Sequence, residues 1–105
     1  MKIDISAQDQ GRRIEAHTGD VLCVQLAENP TTGFRWFVQA PLPVSLEQAQ
    51  DVFTPGHGAP GAGGTRELQF LAKSPVEFRL TLSLRREWEE PGREMESLTI
   101  SGAIL

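Results

Sequence analysis

The fold of this chain is decided by residues 76–85, which read Val-Glu-Phe-Arg-Leu-Thr-Leu-Ser-Leu-Arg. Apolar and polar side chains alternate strictly along this stretch, with the period of two at which side chains point to opposite faces of a β-strand. Such a strand packs one dry face against a core. The same alternation recurs in shorter runs at residues 22–26, 68–70 and 98–104, so the sequence predicts several strands.

No part of the sequence has a convincing helical period. Residues 44–52 fit either a helical turn opened by Pro43 or a short edge strand, and the pattern leaves both open. Loops rich in polar residues, glycine and proline separate the expected strands, at 29–33, 55–64 and 89–92. Short strands with such turns predict an all-β, antiparallel sandwich or barrel. A chain of 105 residues has room for one domain, spanning 1–105.

Composition and charge argue against several function classes. The formal net charge is −4, so nucleic acid and anionic membranes are poor partners. A single cysteine rules out an internal disulfide and a cysteine-rich zinc site, and no histidine and carboxylate cluster has ligand spacing, so we expect no metal and no cofactor. No run approaches the roughly 18 apolar residues of a membrane span.

The first residues carry no recognisable export signal, because Asp4 lies where a signal peptide needs its apolar run. The compartment stays open on this evidence. We expect a cytoplasmic protein if the sequence is complete, and a periplasmic or secreted one if a leader has been removed.

The first of three notable loops reads Asn-Pro-Thr-Thr-Gly-Phe at 29–34. Pro30 fixes its own φ and keeps Asn29 extended, and Gly33 can take the positive φ that ends the turn. The two threonines between them are expected at the tip of a stiff loop, with hydroxyls that can donate and accept hydrogen bonds. Spacing alone still favours a plain polar connection between two strands.

The second loop ends Gly-Ala-Gly-Gly at 61–64, and the third reads Arg-Glu-Trp-Glu at 86–89. Dense glycines allow close backbone approach, but a flexible connection explains them more simply. Strand parity would turn Arg86 and Trp88 into the core, so we expect both in the loop after the strand, with Trp88 partly exposed. Tryptophan beside arginine is typical of a binding hot spot, and a tryptophan folded over the end of the sandwich explains it equally well.

In this order, the three loops resemble the signature loops of the chagasin family. The members of this family are proteinaceous inhibitors of papain-like cysteine proteases. The family pattern is usually NPTTG followed by an aromatic residue, then GxGG, then RPW followed by an acidic or aromatic residue. The likeness covers nearly the whole chain in length, loop order and strand pattern, and Trp36 matches a family core position. Glu87 departs from the pattern, since it stands where the family usually has proline and adds a negative charge beside Trp88.

The resemblance implies an immunoglobulin-like antiparallel β-sandwich with the three loops gathered at one end. It implies a reversible, tight-binding inhibitor that occludes the cleft of a papain-like cysteine protease, and not an enzyme. We expect a monomer when the chain is free. The residues that the resemblance assigns to protease binding are Asn29, Pro30, Thr31, Thr32, Gly33, Phe34, Gly61, Ala62, Gly63, Gly64, Arg86 and Trp88.

Two other function classes compete with this interpretation. Cys23 could pair with His17 or His57 as a nucleophile, but a thiol inside a strand-like run is expected to be buried and unreactive. An immunoglobulin-like adhesion or interaction domain without inhibitory activity would share the fold and also bind through its end loops. The feature that separates the inhibitor from this class is the first loop combined with the Arg-x-Trp element.

Overall fold

The structure is a computed structural model that describes residues 1–56, 63–89 and 94–105. These residues form two short 3₁₀ turns, Ala7–Asp9 and Pro30–Thr32, and eight strands. The strands are β1 (Lys2–Ile5), β2 (Arg13–Ala16), β3 (Val21–Glu28), β4 (Phe34–Val38), β5 (Leu46–Pro55), β6 (Gly64–Ala72), β7 (Glu77–Arg86) and β8 (Glu96–Ile104). Among the residues described, no helix is long and apolar enough to cross a membrane.

The strands form two four-stranded sheets, in the orders β1–β3–β6–β5 and β2–β8–β7–β4. Buried side chains of both sheets share one core, which confirms the predicted all-β sandwich. Most neighbouring strands are antiparallel, but β1 pairs with β3 and β2 pairs with β8 in parallel. These parallel pairs were not predicted from the sequence. The chain crosses from one sheet to the other after β1, so each of the first two strands lies at the edge of a different sheet.

The core is made of alternate, inward-facing residues of the two sheets. On β7 the side chains of Leu80 and Leu82 are completely buried, and so is Phe70 on β6 of the other sheet. The dry face predicted for 76–85 begins at Phe78, because Val76 precedes the strand and is 49% exposed. The alternation in the sequence thus identifies the core face of β7 correctly from its second residue onward.

The ambiguous segment at 44–52 belongs mainly to an edge strand. Residues Leu46–Pro55 pair with β6 as β5, so the strand prediction is right and the helical turn is wrong. The ladder shifts by one residue between Gln48 and Gln50, which marks a β-bulge. Bulges bend an edge strand and discourage pairing with another chain.

Candidate functional site

Four strand termini meet at one end of the sandwich, which we call the loop end. In the first sheet, the last residue of β3, Glu28, pairs with the first residue of β6, Gly64. In the second sheet, the first residue of β4, Phe34, pairs with the last residue of β7, Arg86. The first loop joins β3 to β4, the second leads into β6 and the third leaves β7, so all three reach the same end.

A buried carboxylate ties the two sheets together at the base of the first loop. The side chain of Glu28 is 1% exposed, and it accepts a 2.8 Å hydrogen bond from the backbone N–H of Trp36. The indole Nε1 of Trp36 in turn donates to the carbonyl of Ala27 at 3.0 Å. Because the strands on either side of the loop are joined in this way, the first loop has a fixed base.

Arg66 supplies the positive charge that pairs with Glu28 in the interior. Its Nη2 and Nε donate to Oε2 of Glu28 at 2.7 and 3.1 Å, and its Nη1 donates to Asp51 at 2.9 Å. Asp51 also accepts from Nη2 of Arg35 at 2.8 Å. Burial acts to lower the pKa of Arg66, but the hydrogen bonds and charges of Glu28 and Asp51 outweigh it and raise the pKa. We call these four side chains the inter-sheet ion network.

The first loop is stiff because its own polar groups bond to one another. Oδ1 of Asn29 accepts from both the backbone N–H and the hydroxyl of Thr31, at 3.1 and 2.7 Å. The hydroxyl of Thr32 donates to the carbonyl of Asn29 at 2.7 Å. From the sequence we expected two hydroxyls at the tip that can donate and accept hydrogen bonds. In the structure both donate within the loop, where they contribute stiffness.

Gly33 brings the first and third loops into contact. Its φ is 81°, in the left-handed region that glycine adopts without cost. A Cβ built on Gly33 would lie 3.0 Å from Cη2 of Trp88, so the indole ring packs directly against the glycine. Residues 29–33 and Trp88 therefore lie side by side, as they must if they are to enter one cleft together.

Arg86 is the last residue of β7, which corrects the prediction that it follows the strand. A charged side chain is tolerated at this position because its guanidinium lies over aromatic rings, 4.5 Å from the centroid of Phe34 and 5.9 Å from that of Trp88. Its Nη1 also donates to Glu89 at 3.3 Å. Trp88 does lie in the turn after the strand and is 73% exposed, in agreement with the expectation of partial exposure.

Of the four predicted contact residues in the second loop, the structure describes two. Gly61 and Ala62 lie outside the described residues. Gly63 has a φ of 84°, and a Cβ built on it would lie 3.1 Å from the carbonyl oxygen of Glu28. At Gly63 the missing side chain therefore permits a close approach to the base of the first loop. Close backbone approach was the less simple of the two explanations for these glycines, the other being a flexible connection.

The first loop stands between two cavities. One, of about 290 Å³, lies between the first and second loops, with Asn29 and Gly63 in its lining. The other, of about 190 Å³, lies between the first and third loops, with Pro30 and Trp88 in its lining. An exposed, rigid loop with a hollow on each side has a shape that can enter a cleft while its neighbours contact the walls.

Cys23 has the properties of a structural thiol rather than of a nucleophile. It is completely buried, and its Sγ donates to a carboxylate oxygen of Glu67 at 3.0 Å. Burial first, and then the hydrogen bond and charge of Glu67, raise the pKa of Cys23 to about 11, whereas reactive thiols have lowered pKa values. His57 lies outside the described residues. Within the described residues, no group of three or more His, Cys, Asp or Glu side chains could hold a metal ion.

The thiol of Cys23 should react slowly with the disulfide reagent DTNB in the folded protein. A pKa of about 11 rather than 9.0 lowers the thiolate population at pH 8 about 100-fold, and burial slows access further. Absorbance of the released thiolate at pH 8 measures the rate, with the urea-unfolded chain as the reference. A folded protein that reacts as fast as the unfolded chain would contradict this description of Cys23.

Residues 15–101 match the family described as chagasin family peptidase inhibitor I42. The chain belongs to the chagasin family. Membership confirms the resemblance predicted from the three loops, and it groups the chain with peptidase inhibitors rather than with enzymes.

Individual similar proteins match over nearly the whole chain. Chagasin from Trypanosoma cruzi is 26% identical over 105 residues, which cover 95% of this chain and 96% of that protein. The crystal structure of the cysteine protease inhibitor EhICP2 from Entamoeba histolytica matches with a TM-score of 0.82 at 23% identity, covering 99% and 95% of the two chains. PbICP-C, solved in complex with falcipain-2, matches with a TM-score of 0.54 at 14% identity, covering 100% and 90%. These structures share the fold described above.

Proposed function

We propose that this protein inhibits papain-like cysteine proteases by filling the active-site cleft with its three loops, without covalent chemistry. The observation that carries the proposal is the packing of Trp88 against Gly33, because it makes the first and third loops one continuous surface. Membership of the chagasin family supports it. So do the two structures similar to it, one of a cysteine protease inhibitor and the other of PbICP-C in complex with falcipain-2.

In this proposal the first loop is the part that enters the cleft and covers the catalytic Cys–His pair. Pro30, Thr31 and Thr32 are exposed, while the hydrogen bonds to Asn29 and the fixed base hold the backbone in one conformation. A loop that is already ordered loses little conformational entropy on binding. The same internal bonds keep its peptide groups from taking the extended geometry of a substrate, so the loop resists cleavage.

The other two loops contact the walls of the cleft on either side. Trp88 provides the aromatic anchor, and Arg86 holds its indole by cation–π contact over a base formed by Phe34. The glycine-rich backbone at 61–64 offers main-chain hydrogen bonds to the opposite wall. Three loops of this size can form a standard interface of about 1,600 Å² in total, which suffices for nanomolar affinity when the loops are pre-organised. The free protein is a monomer in this proposal.

Titration of active papain with the purified protein tests the proposal. Residual activity should fall linearly to zero at one equivalent of inhibitor, which is the behaviour of a tight one-to-one complex. Mass spectrometry of the inhibitor after the incubation should find a single intact chain. Full papain activity at a large molar excess of the protein would contradict the proposal and favour the interaction-domain alternative. So would cleavage within residues 29–33 that accompanies recovery of papain activity.

Truncating Trp88 to alanine (W88A) is expected to weaken inhibition of papain about tenfold or more, because buried aromatic anchors dominate interface energetics. The inhibition constant measures the effect. Val44→Ala is the matched control: Val44 is also an exposed apolar side chain, 94% accessible, but it precedes β5 at the opposite end of the sandwich. Equal inhibition constants for the two variants would assign Trp88 to the scaffold.

A further inference from the structure

The cavity of about 190 Å³ between the first and third loops is here called the third-loop pocket. Charged and aromatic side chains line it, and a loop that fills a cleft by shape alone would not need them. Its lining includes three aromatic rings, those of Phe34, Phe37 and Trp88, and two carboxylates, those of Glu28 and Glu87. Glu28 is buried at its floor, whereas Glu87 and Trp88 are exposed. Aromatic faces and carboxylates together favour a cationic occupant.

The charges around the third-loop pocket leave one carboxylate uncompensated. Arg66 and Arg35 also line it, but Arg66 is paired with both Glu28 and Asp51, and Arg35 is paired with Asp51. These two positive charges offset the two carboxylates that they contact. Arg86, which lies over the Phe34 and Trp88 rings, is paired with Glu89. Among the residues that line the pocket, Glu87 is therefore the carboxylate with no ion pair to another described side chain.

We propose that the third-loop pocket receives a basic side chain of the target protease, a lysine or arginine, with Glu87 as its counter-charge and the Trp88 ring as its cation–π face. The inference rests on the proposed function, since a protease on the loop end would cover the pocket. A charge pair that is desolvated on binding gives specificity, because a protease with an acidic side chain at this place is repelled.

One feature of the third-loop pocket favours a different occupant. Nε of Arg35 is buried and has no hydrogen-bond acceptor within the described residues, so a carboxylate or carbonyl could satisfy it. Arg35 is already ion-paired through Nη2, however, and lacks only one hydrogen bond. Glu87 is exposed, so an arriving side chain can reach it, and it carries a whole charge with no partner among the described side chains. We therefore assign the pocket a basic occupant, and binding of an acidic one instead is an outcome that the test below would detect.

The third-loop pocket can be tested without a protease by following indole N–H resonances in heteronuclear NMR spectra. The probes are N-acetyl-arginine amide, N-acetyl-norleucine amide and N-acetyl-glutamate amide. The chain has two tryptophans, and the indole of Trp36, which is buried and bonded to Ala27, serves as the internal reference. Glu87→Gln removes the proposed counter-charge. Glu47→Gln makes the same change of charge at an exposed position of β5 at the opposite end of the sandwich.

We expect the arginine probe alone to give a saturable shift of the Trp88 indole. Glu87→Gln should weaken its binding about tenfold, and Glu47→Gln should leave it unchanged. The proposal is overturned if the glutamate or norleucine probe binds as well, if the arginine probe gives no saturable shift, or if Glu87→Gln binds it like the wild type. Because papain is absent, these results are independent of the titration that tests inhibition.

Discussion

Valine in place of Gly33 (G33V) is expected to raise the inhibition constant for papain about 100-fold or more, the loss of several hot-spot contacts at once. Two effects combine at this position. A β-branched residue is strongly disfavoured at a φ of 81°, and the new Cβ would meet Cη2 of Trp88 at 3.0 Å. The first loop must change its backbone or the indole must leave, so the two loops no longer present one surface.

Gly19→Val is the matched control for this experiment. Gly19 also has a positive φ, of 97°, but a Cβ built there meets nothing within 4 Å. It lies in the turn before β3, at the end of the sandwich opposite the loop end. Both variants should lose about 1–2 kcal/mol of unfolding free energy from the backbone alone, and only Gly33→Val should lose inhibition. Equal inhibition by the two variants would contradict the contact between the loops.

Alanine in place of Glu28 (E28A) is expected to lower the free energy of unfolding by about 3–5 kcal/mol, because it takes from the buried Arg66 the more deeply buried of its two carboxylate partners. The guanidinium of Arg66, whose side chain is 11% exposed, loses three hydrogen bonds, and the N–H of Trp36 loses its acceptor. Domains are stable by only about 5–15 kcal/mol, so this is a large share of the total. Urea unfolding followed by tryptophan fluorescence measures it.

Two further variants show whether the inter-sheet ion network is the cause. Glu47→Ala removes an exposed carboxylate and should change the unfolding free energy by less than about 0.5 kcal/mol. Glu28→Gln keeps an acceptor for Trp36 but removes the charge opposite Arg66, so it should fall between the other two. A loss below about 1 kcal/mol for Glu28→Ala would mean that the network does not hold the two sheets together.

The sandwich and its core could be predicted because the physical signal is local. Alternation over 76–85 reports a half-buried strand directly, and Leu80 and Leu82 are indeed completely buried. Residues 44–52 were ambiguous because a few alternating positions after a proline fit two structures. Pairing of β5 with β6 decided between them, and that pairing depends on residues about twenty positions further along the chain.

The inter-sheet ion network could not be predicted because its partners are distant in sequence. Glu28 and Arg66 are 38 residues apart, and each resembles any other charged residue near a strand end. The position of Arg86 was misjudged for a related reason. Parity rules exclude a charge from an inward position, and only the structure reveals the Phe34 and Trp88 rings that accept its guanidinium.

The stiffness of the first loop was partly predictable. Pro30 restricts the backbone and Gly33 permits a positive φ, and both properties follow from the residue type alone. The hydrogen-bond partners of the threonine hydroxyls cannot be predicted in this way, because a hydroxyl bonds to whichever acceptor the backbone places within reach. Here that acceptor is Asn29, so the loop's own side chains add to the stiffness that its fixed base provides.

The rate at which iodoacetate alkylates the catalytic thiol of papain, with and without one equivalent of this protein, tests cleft occupancy most directly. Cys23 is buried and poorly ionised, so it does not compete for the reagent. We predict that the complex protects the papain thiol almost completely, and that intact inhibitor is recovered on dissociation. A thiol that reacts at the rate of free papain, while the protein is bound to the enzyme, would contradict the account.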